Sequence, residues 1–356
     1  MASRLQAGSE PSRRREVKIR RKRSTLADVA SLACVSAVTV SRALRRPDMV
    51  SAKLRERIQA AVRELAYVPD VAASRLASNR THTIGVIVSS LTNGVFADYI
   101  NALHDNLLPA GYQVLILSTR YSEAEEEKAI ATLLGQHPEA IIIVGVDQSE
   151  HARHLLESSG VPVVQTFQLT DTPIDINLGL DQRDAAYQAT KTLIDLGHRK
   201  IGVIASRLDA RARARLEGYA RAMREAGLFD EKWYATTPQQ TCVKAGGQLL
   251  AQLIDKGCQP EAVFCCDDLL ALGVLFECQR RDIEVPDDMS IIGFNNLEFA
   301  ESAQPPLATV ATPRYEMGQM AAEIVRKIIE SGERPPDSRI DVGYKLELRG
   351  SVKRPA

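Results

Sequence analysis

The spacing of apolar residues changes period along this chain, and the change divides it. Between Ser24 and Leu65 the apolar positions recur at helical intervals in three short bursts. Leu26, Val29, Ala30 and Ala33 stand at i, i+3, i+4 and i+7, one face of a first helix, with Thr25 placed as its N-cap and Asp28 at the capping-box position. After a tight break Ser36 is placed to cap a second helix, and Val35 can staple onto Val40. Val40, Ala43 and Leu44 then face inward, leaving Ala37, Val38, Ser41, Arg42 and Arg45 outward: small side chains with guanidinium groups that suit a base-pair edge or a phosphate. A third helix, capped at Ser51, carries Leu54, Ile58, Ala61, Val62 and Leu65 and ends at Pro69. The pattern predicts a helix-turn-helix whose second helix enters a major groove.

From Thr83 the pattern alternates between strand and helix. Apolar runs of strand length at 83–89, 112–118, 140–146 and 161–166 are separated by helical periodicity, such as Phe96, Ile100, Leu103 and Leu107. The rhythm repeats after Asn177, with helices over 184–196, 212–226, 245–256 and 269–281 and strands at 200–205, near Trp233, at 262–266 and at 290–294. A last strand is expected near 344–348. Such alternation predicts parallel sheets flanked by helices in two doubly wound halves, although no sequence repeat links them.

Charge sharpens the division. The formal net charge is zero, yet residues 1–80 hold 18 Lys/Arg against 7 Asp/Glu, so a head of net +11 rides on a body of net −11. A head of that kind suits a polyanion. Residues 1–23 carry nine Lys/Arg and almost no apolar side chains, a composition expected to be disordered. No apolar segment of signal type follows these charges and the longest apolar run, 140–146, is too short to cross a bilayer, so a cytoplasmic protein with no membrane association is expected. Six cysteines show neither C-x-x-C pairs nor zinc spacing and read as small buried hydrophobes.

Ligands of open α/β sheets sit at the carboxyl ends of the strands. Four loops fall there: 89–96, 207–215, Asp267-Asp268 and Asn295-Asn296. Their amides, hydroxyls and carboxylates suit a polyhydroxylated ligand, and their arginines suit a carboxylate or phosphate. Arg211 and Arg215 share a helix face and Arg213 does not, so at most two of the three are expected to reach a ligand. One of Asp267 and Asp268 is expected to cap the helix that follows. Phosphate-loop, dinucleotide, nucleophile-elbow and H-E-x-x-H motifs are all absent, and His151-x-x-His154 lacks a third ligand nearby; no enzymatic activity and no metal site are expected.

Residues Thr25 to Leu44, with Leu65-Ala-Tyr-Val-Pro69 and Ala72-Ala-Ser-Arg-Leu-Ala77 after them, resemble the DNA-reading headpiece and hinge of the lactose-repressor (LacI) family of bacterial transcription regulators. Cys34 stands where that family usually has Gly, so the turn must form without a residue free to take positive φ, or with strain. The resemblance implies an all-α helix-turn-helix headpiece followed by an α/β core of two doubly wound lobes, similar to periplasmic sugar-binding proteins, between which the chain crosses three times. The expected boundaries are a tail at 1–23, the DNA-binding domain at 24–69, a hinge at 70–82 and an effector-binding, dimerising core at 83–356. Within the core, the first lobe takes about 83–176 and 308–338, and the second about 177–307 and 339–356.

The same resemblance implies roles. Ala37, Val38 and Arg42 touch bases while Arg45, Arg46 and Lys53 meet phosphate, and Thr25, Ser36, Thr39, Ser41 and Tyr67 complete the DNA-binding set. Hinge helices carrying Ala73 and Leu76 order on DNA, and Leu76 wedges into the minor groove. The family's effector arginine precedes a Gly-aromatic pair by three residues, as Arg215 precedes Gly218-Tyr219; two further effector positions correspond to Asp267 and Asn295. Leu91-Thr-Asn-Gly-Val-Phe-Ala97, Arg207-Leu-Asp209 and Val285-Pro-Asp-Asp-Met289 are similar to the gluconate-utilisation branch of the family, apart from Asp267 in place of Asn and Gln165 in place of a carboxylate. The implied effector set is Ser89, Asn93, Phe96, Gln165, Arg207, Arg215, Asp267 and Asn295, with D-gluconate or a related sugar acid bound through Arg215 and no cofactor. The implied partners are a pseudo-palindromic double-stranded operator and a second copy of the chain, in a repressor that the acid releases from DNA. A different sugar, a sugar phosphate or a protein partner as the signal stays open at this point.

Overall fold

The computed structural model describes residues 24–68 and 80–353, and the chain divides into two compact units after Arg80. The expected tail, Ala73, Leu76 and most of the hinge lie outside the described residues.

The first unit is built from three helices, α1 (Leu26–Leu32), α2 (Ala37–Arg45) and α3 (Ala52–Glu64). Thr25 and Asp28 form the capping box that the sequence suggests: the Thr25 N–H donates to Asp28 Oδ2 at 2.8 Å, and the Asp28 N–H returns to Thr25 Oγ1 at 3.3 Å. Ser36 Oγ accepts from the Thr39 N–H at 3.2 Å and so opens α2. Between the helices the chain bends by 102°, within the range of a helix-turn-helix. Cys34 makes that bend in the left-handed region, at φ +49°, and takes the strain that glycine would avoid. Val29, Ala33, Val40, Ala43, Ile58 and Ala61 close the small core.

The second unit contains two six-stranded sheets. Sheet one has the order β11-β5-β4-β3-β1-β2, with β1 Thr83–Val88, β2 Gln113–Ser118, β3 Ala140–Val144, β4 Val163–Gln168, β5 Ile176–Leu180 and β11 Arg339–Asp341, all parallel. Sheet two has the order β12-β10-β9-β8-β6-β7: β6 Ile201–Ser206, β7 Tyr234–Thr237, β8 Ala262–Cys265, β9 Ser290–Asn295, β10 Ala308–Ala311 and β12 Lys345–Glu347, the last antiparallel to β10. The two halves share one strand order without sharing a sequence repeat. In both, the order reverses beside the first strand, and there the loops after β1, β3, β6 and β8 open toward one crevice. The central strands are buried along their whole length, as parallel strands covered on both faces must be.

Helices α4 (Ala97–Leu107), α5 (Glu123–Gly135) and α6 (Glu150–Ser158) serve the first sheet. Helices α7 (Gln182–Asp195), α8 (Ala210–Glu225), α9 (Val243–Asp255), α10 (Asp268–Arg280) and the short α11 (Glu298–Ser302) serve the second. Helix α12 (Arg314–Ser331) packs on α4. The chain therefore crosses between lobes three times, after β5, after β10 and after β11.

Those crossings correct the expected lobe boundaries. β5 lies beside β4, Val164 opposite Ile176, and so closes the first lobe where the sequence reading opens the second. β10 pairs with β9 and belongs to the second lobe, while β11 pairs with β5 and belongs to the first. Each is a strand of three to five residues whose partner is chosen by distant hydrogen bonding, which periodicity cannot report. The α7–α8 contact depends on Gly218, where a Cβ would run into the Arg183 carbonyl oxygen.

The cysteines divide. Cys258, Cys265, Cys266 and Cys278 are buried as expected, but Cys34 and Cys242 are exposed, because one sits in a turn and the other at a helix start.

Candidate functional site

On the first unit, α2 turns Ser36, Ala37, Val38 and Arg42 to solvent, with Val38 68% exposed. Thr39 and Ser41 are half-buried, and the Thr39 hydroxyl lies 2.8 Å from Ser36 Oγ. Thr25 is exposed, with its hydroxyl donated to Asp28 Oδ2 at 2.7 Å. Tyr67 is half-buried and packs on the headpiece core. Arg45 is the last residue of α2.

In the second unit a cleft runs between the lobes. The loop after β1 is shaped by its own side chains: Ser90 Oγ accepts from the Thr92 and Asn93 N–H groups, and Asn93 Oδ1 accepts from the Val95 N–H at 3.1 Å. This fixes Phe96, whose ring meets Phe167 edge-on at 5.3 Å. Opposite, α8 starts on Asp209, which caps it by accepting from the Ala212 N–H at 2.9 Å. Arg211 and Arg215, one turn apart on α8, are both buried in the cleft wall, whereas Arg213 is exposed at the rim of its outer part.

Each arginine is held differently. Arg211 donates through Nη2 to Asp209 Oδ2 at 2.9 Å and to Ser89 Oγ at 3.3 Å, across the cleft, and lies over the Phe96 and Phe167 rings. Arg215 donates through Nε to Gln182 Oε1 at 2.8 Å and through Nη1 to the Cys266 carbonyl at 2.5 Å, and its guanidinium stacks on Phe294 at 3.7 Å. Arg207 stacks on Tyr121 of the first lobe at 4.0 Å.

Below them, Asp267 is the residue that caps α10, accepting from the Leu269 N–H at 2.9 Å, and it also accepts from Asn295 Nδ2 at 3.0 Å. Asp268 turns inward instead, onto the Thr309 hydroxyl and the Leu297 N–H. Burial, reinforced by the neighbouring Asp268, pushes the Asp267 carboxyl up to about 7, against the Leu269 N–H and Arg215. Burial would also raise Asp209, but the Arg211 guanidinium and the Ala212 N–H outweigh it and hold that carboxyl below its ordinary range. Burial lowers the pKa of Arg215.

Asn93, Phe96, Arg207, Arg215, Asp267 and Asn295 thus line one cavity of about 40 Å³. Ser89 lines an adjoining cavity of about 380 Å³ and reaches the first through Arg211. Gln165 stands outside both. It is fully buried, donating to Gln148 Oε1 at 2.6 Å and accepting from the Ile174 N–H at 2.8 Å. The cause is local: Phe167 takes φ +74°, which breaks the alternation of β4 and brings both Thr166 and Phe167 to Tyr99 while Gln165 keeps the opposite face. Tyr121, Phe167 and Arg211 line the cavity without standing in the expected effector set. Tyr121, Phe167, Arg207 and Asn295 all have positive φ, a strain that gathers at working sites and that sequence alone does not print.

Among the described residues no group of three His, Cys, Asp or Glu side chains is arranged to hold a metal ion, and His151 and His154 are exposed. No single described helix is long and apolar enough to cross a membrane.

Family profiles match both units: bacterial regulatory proteins, lacI family, over residues 25–70, and a periplasmic binding protein-like domain over residues 190–352. The HTH-type transcriptional regulator GntR of Pseudomonas aeruginosa is 38% identical over 331 residues, which is 93% of this chain and 96% of that one. The regulator of the same name from Escherichia coli is 35% identical over 94% of this chain and all of its own. A crystal structure of a LacI-family transcriptional regulator from Silicibacter pomeroyi superposes with a TM-score of 0.87 at 32% identity, covering 93% of this chain and 100% of that one.

Proposed function

The chain belongs to the lacI family of bacterial regulatory proteins, DNA-binding transcriptional regulators, and on that premise we propose that it represses sugar-acid catabolism and leaves its operator when D-gluconate or a related acid binds. The observation that carries the acid is the pair Arg211 and Arg215, both buried in a cleft wall with Asp267 and Asn295 beside them. Two buried guanidiniums facing one ionised carboxylate, Asp209, and a second carboxyl held near neutrality leave room for one anionic ligand group. The amides and hydroxyls around them suit a polyol. In this reading Arg215 meets the carboxylate, and Asp267, Asn295, Asn93 and Ser89 meet hydroxyls.

On the DNA side, two headpieces of a homodimer read a pseudo-palindromic operator, with Ala37, Val38 and Arg42 at base edges. The acid and the operator are linked by a coupling free energy, so each weakens the other by the same factor.

Thermal unfolding against D-gluconate, ketogluconates, idonate, glucose and ribose tests the effector. A ligand at about a hundred times its dissociation constant adds roughly 2.7 kcal/mol of stability. Stabilisation by gluconate or another of the acids, and by neither neutral sugar, is expected; operator release by that acid should follow. Stabilisation by a neutral sugar alone would remove the acid and keep the regulator.

A further inference from the structure

The cleft consists of two chambers that share Tyr121, Arg207, Asp209 and Arg211 as walls. The inner one, about 40 Å³ between Arg215, Asp267 and Asn295, has space for roughly two or three waters. The outer one, about 380 Å³, is bounded by Ser89, Glu126 and Asp147. A six-carbon acid cannot lie within the inner chamber alone and must reach into the outer. Arg211 stands on the border.

Charge separates the chambers. Inside, Arg211 and Arg215, with Arg207 at the border, face Asp209 and the Asp267 carboxyl, which is only half ionised near pH 7, so positive charge is in excess. Outside, the first-lobe wall brings Glu123, Glu126 and Asp147 against Arg207 and Arg213 of the second lobe, and no positive charge is in excess. Those carboxylates crowd one another: burial first, then Asp147 and Glu123, push Glu126 up to about 7.

Hydrogen bonding points the same way. Arg215 already commits Nε and one Nη to Gln182 and Cys266, so it presents a reduced fork to a carboxylate. The second oxygen needs another donor. Arg211 has its strong bond to Asp209, but its 3.3 Å contact with Ser89 is long, and it is the one a carboxylate would displace.

We propose that Arg211 is the second anion anchor of the cleft and that the cleft selects sugar acids carrying a single negative charge. The carboxylate sits between Arg211 and Arg215 in the inner chamber, and the uncharged hydroxylated chain runs through the outer chamber, donating to Glu126 and Asp147. A second anionic group at the far end of the chain, phosphate or carboxylate, meets the acidic wall and is rejected. This rests on the sugar-acid reading above and narrows it.

Titration calorimetry on the full chain at constant ionic strength, with D-gluconate, 6-phosphogluconate and D-glucarate, tests it. Gluconate should bind about tenfold or more tighter than either 6-phosphogluconate, which carries about two to three negative charges near neutrality, or the dianion glucarate. Arg211→Ala should weaken gluconate by about 30-fold, the loss of a charge-assisted contact. Because that variant also frees Asp209, a second is needed: Glu126→Gln with Asp147→Asn weakens the acceptors of the gluconate hydroxyls but removes the repelling charge, so it should bring the 6-phosphogluconate dissociation constant about tenfold closer to that of gluconate. Polyanions that bind wild type as tightly as gluconate, or a double variant that leaves the ratio unchanged, overturn the selectivity while the sugar-acid reading stands. A wild-type protein that binds a neutral sugar and no acid overturns both.

Discussion

Replacing Asp267 by Asn should abolish a pH dependence that wild-type acid binding is expected to show. Asp267 is buried, next to Asp268 and below Arg215, and its carboxyl is pushed up to about 7. An anion held by Arg215 adds a like charge, which raises that value further, so binding above neutrality takes up a proton. The sign follows: affinity is greatest below pH 7 and falls as pH rises above it. Two unit charges about 5 Å apart at an effective dielectric near 20 repel by roughly 3 kcal/mol, so the deprotonated site binds the acid on the order of 100-fold more weakly. The apparent dissociation constant should therefore grow about tenfold from pH 6 to pH 8. In the Asn variant the amide oxygen can still accept from the Leu269 N–H, and Asn295 can turn its own amide to suit, so the low-pH affinity should persist across the range. Calorimetry in two buffers of different ionisation enthalpy would also read the proton uptake directly. A wild-type dissociation constant that is flat between pH 6 and pH 8, or a slope that survives in Asp267→Asn, would refute the reasoning.

Other perturbations test the remaining elements. Arg215→Ala should cost about 2 kcal/mol or more of acid binding and leave the Cys266 carbonyl and Gln182 without their donor; equal affinity in calorimetry would remove Arg215 from the site. Gly218→Ala drives a methyl into the Arg183 carbonyl and should lower second-unit stability by about 1–3 kcal/mol, read as a lower denaturation midpoint. Cys34→Gly relieves a left-handed residue at φ +49° and should stabilise the headpiece by up to about 1 kcal/mol, visible as slower hydrogen exchange in α1–α3. Thr25→Ala breaks the capping box and should cost the same helices about 1 kcal/mol, with weaker operator binding at elevated temperature.

Much of this protein is written in short-range pattern. The headpiece helices, their caps at Thr25 and Ser36, and the shared face of Arg211 and Arg215 follow from spacings of three and four residues, because helix geometry acts over that distance. The apolar runs mark the central strands for a similar reason, since a parallel strand covered on both faces has no polar side to show. Tertiary structure decided what short range does not contain. It assigned β5 and β11 to one lobe and β10 to the other through pairings with distant strands. It chose Asp267 over Asp268 as cap and cavity wall, because Thr309 and Leu297 from elsewhere in the chain claim Asp268. It sent Gln165 out of the cleft and Phe167 into it through one positive φ. Finally it brought Ser89, Tyr121 and Arg211 together across two lobes, at a place where their charges and hydrogen bonds depend on burial that no local spacing records.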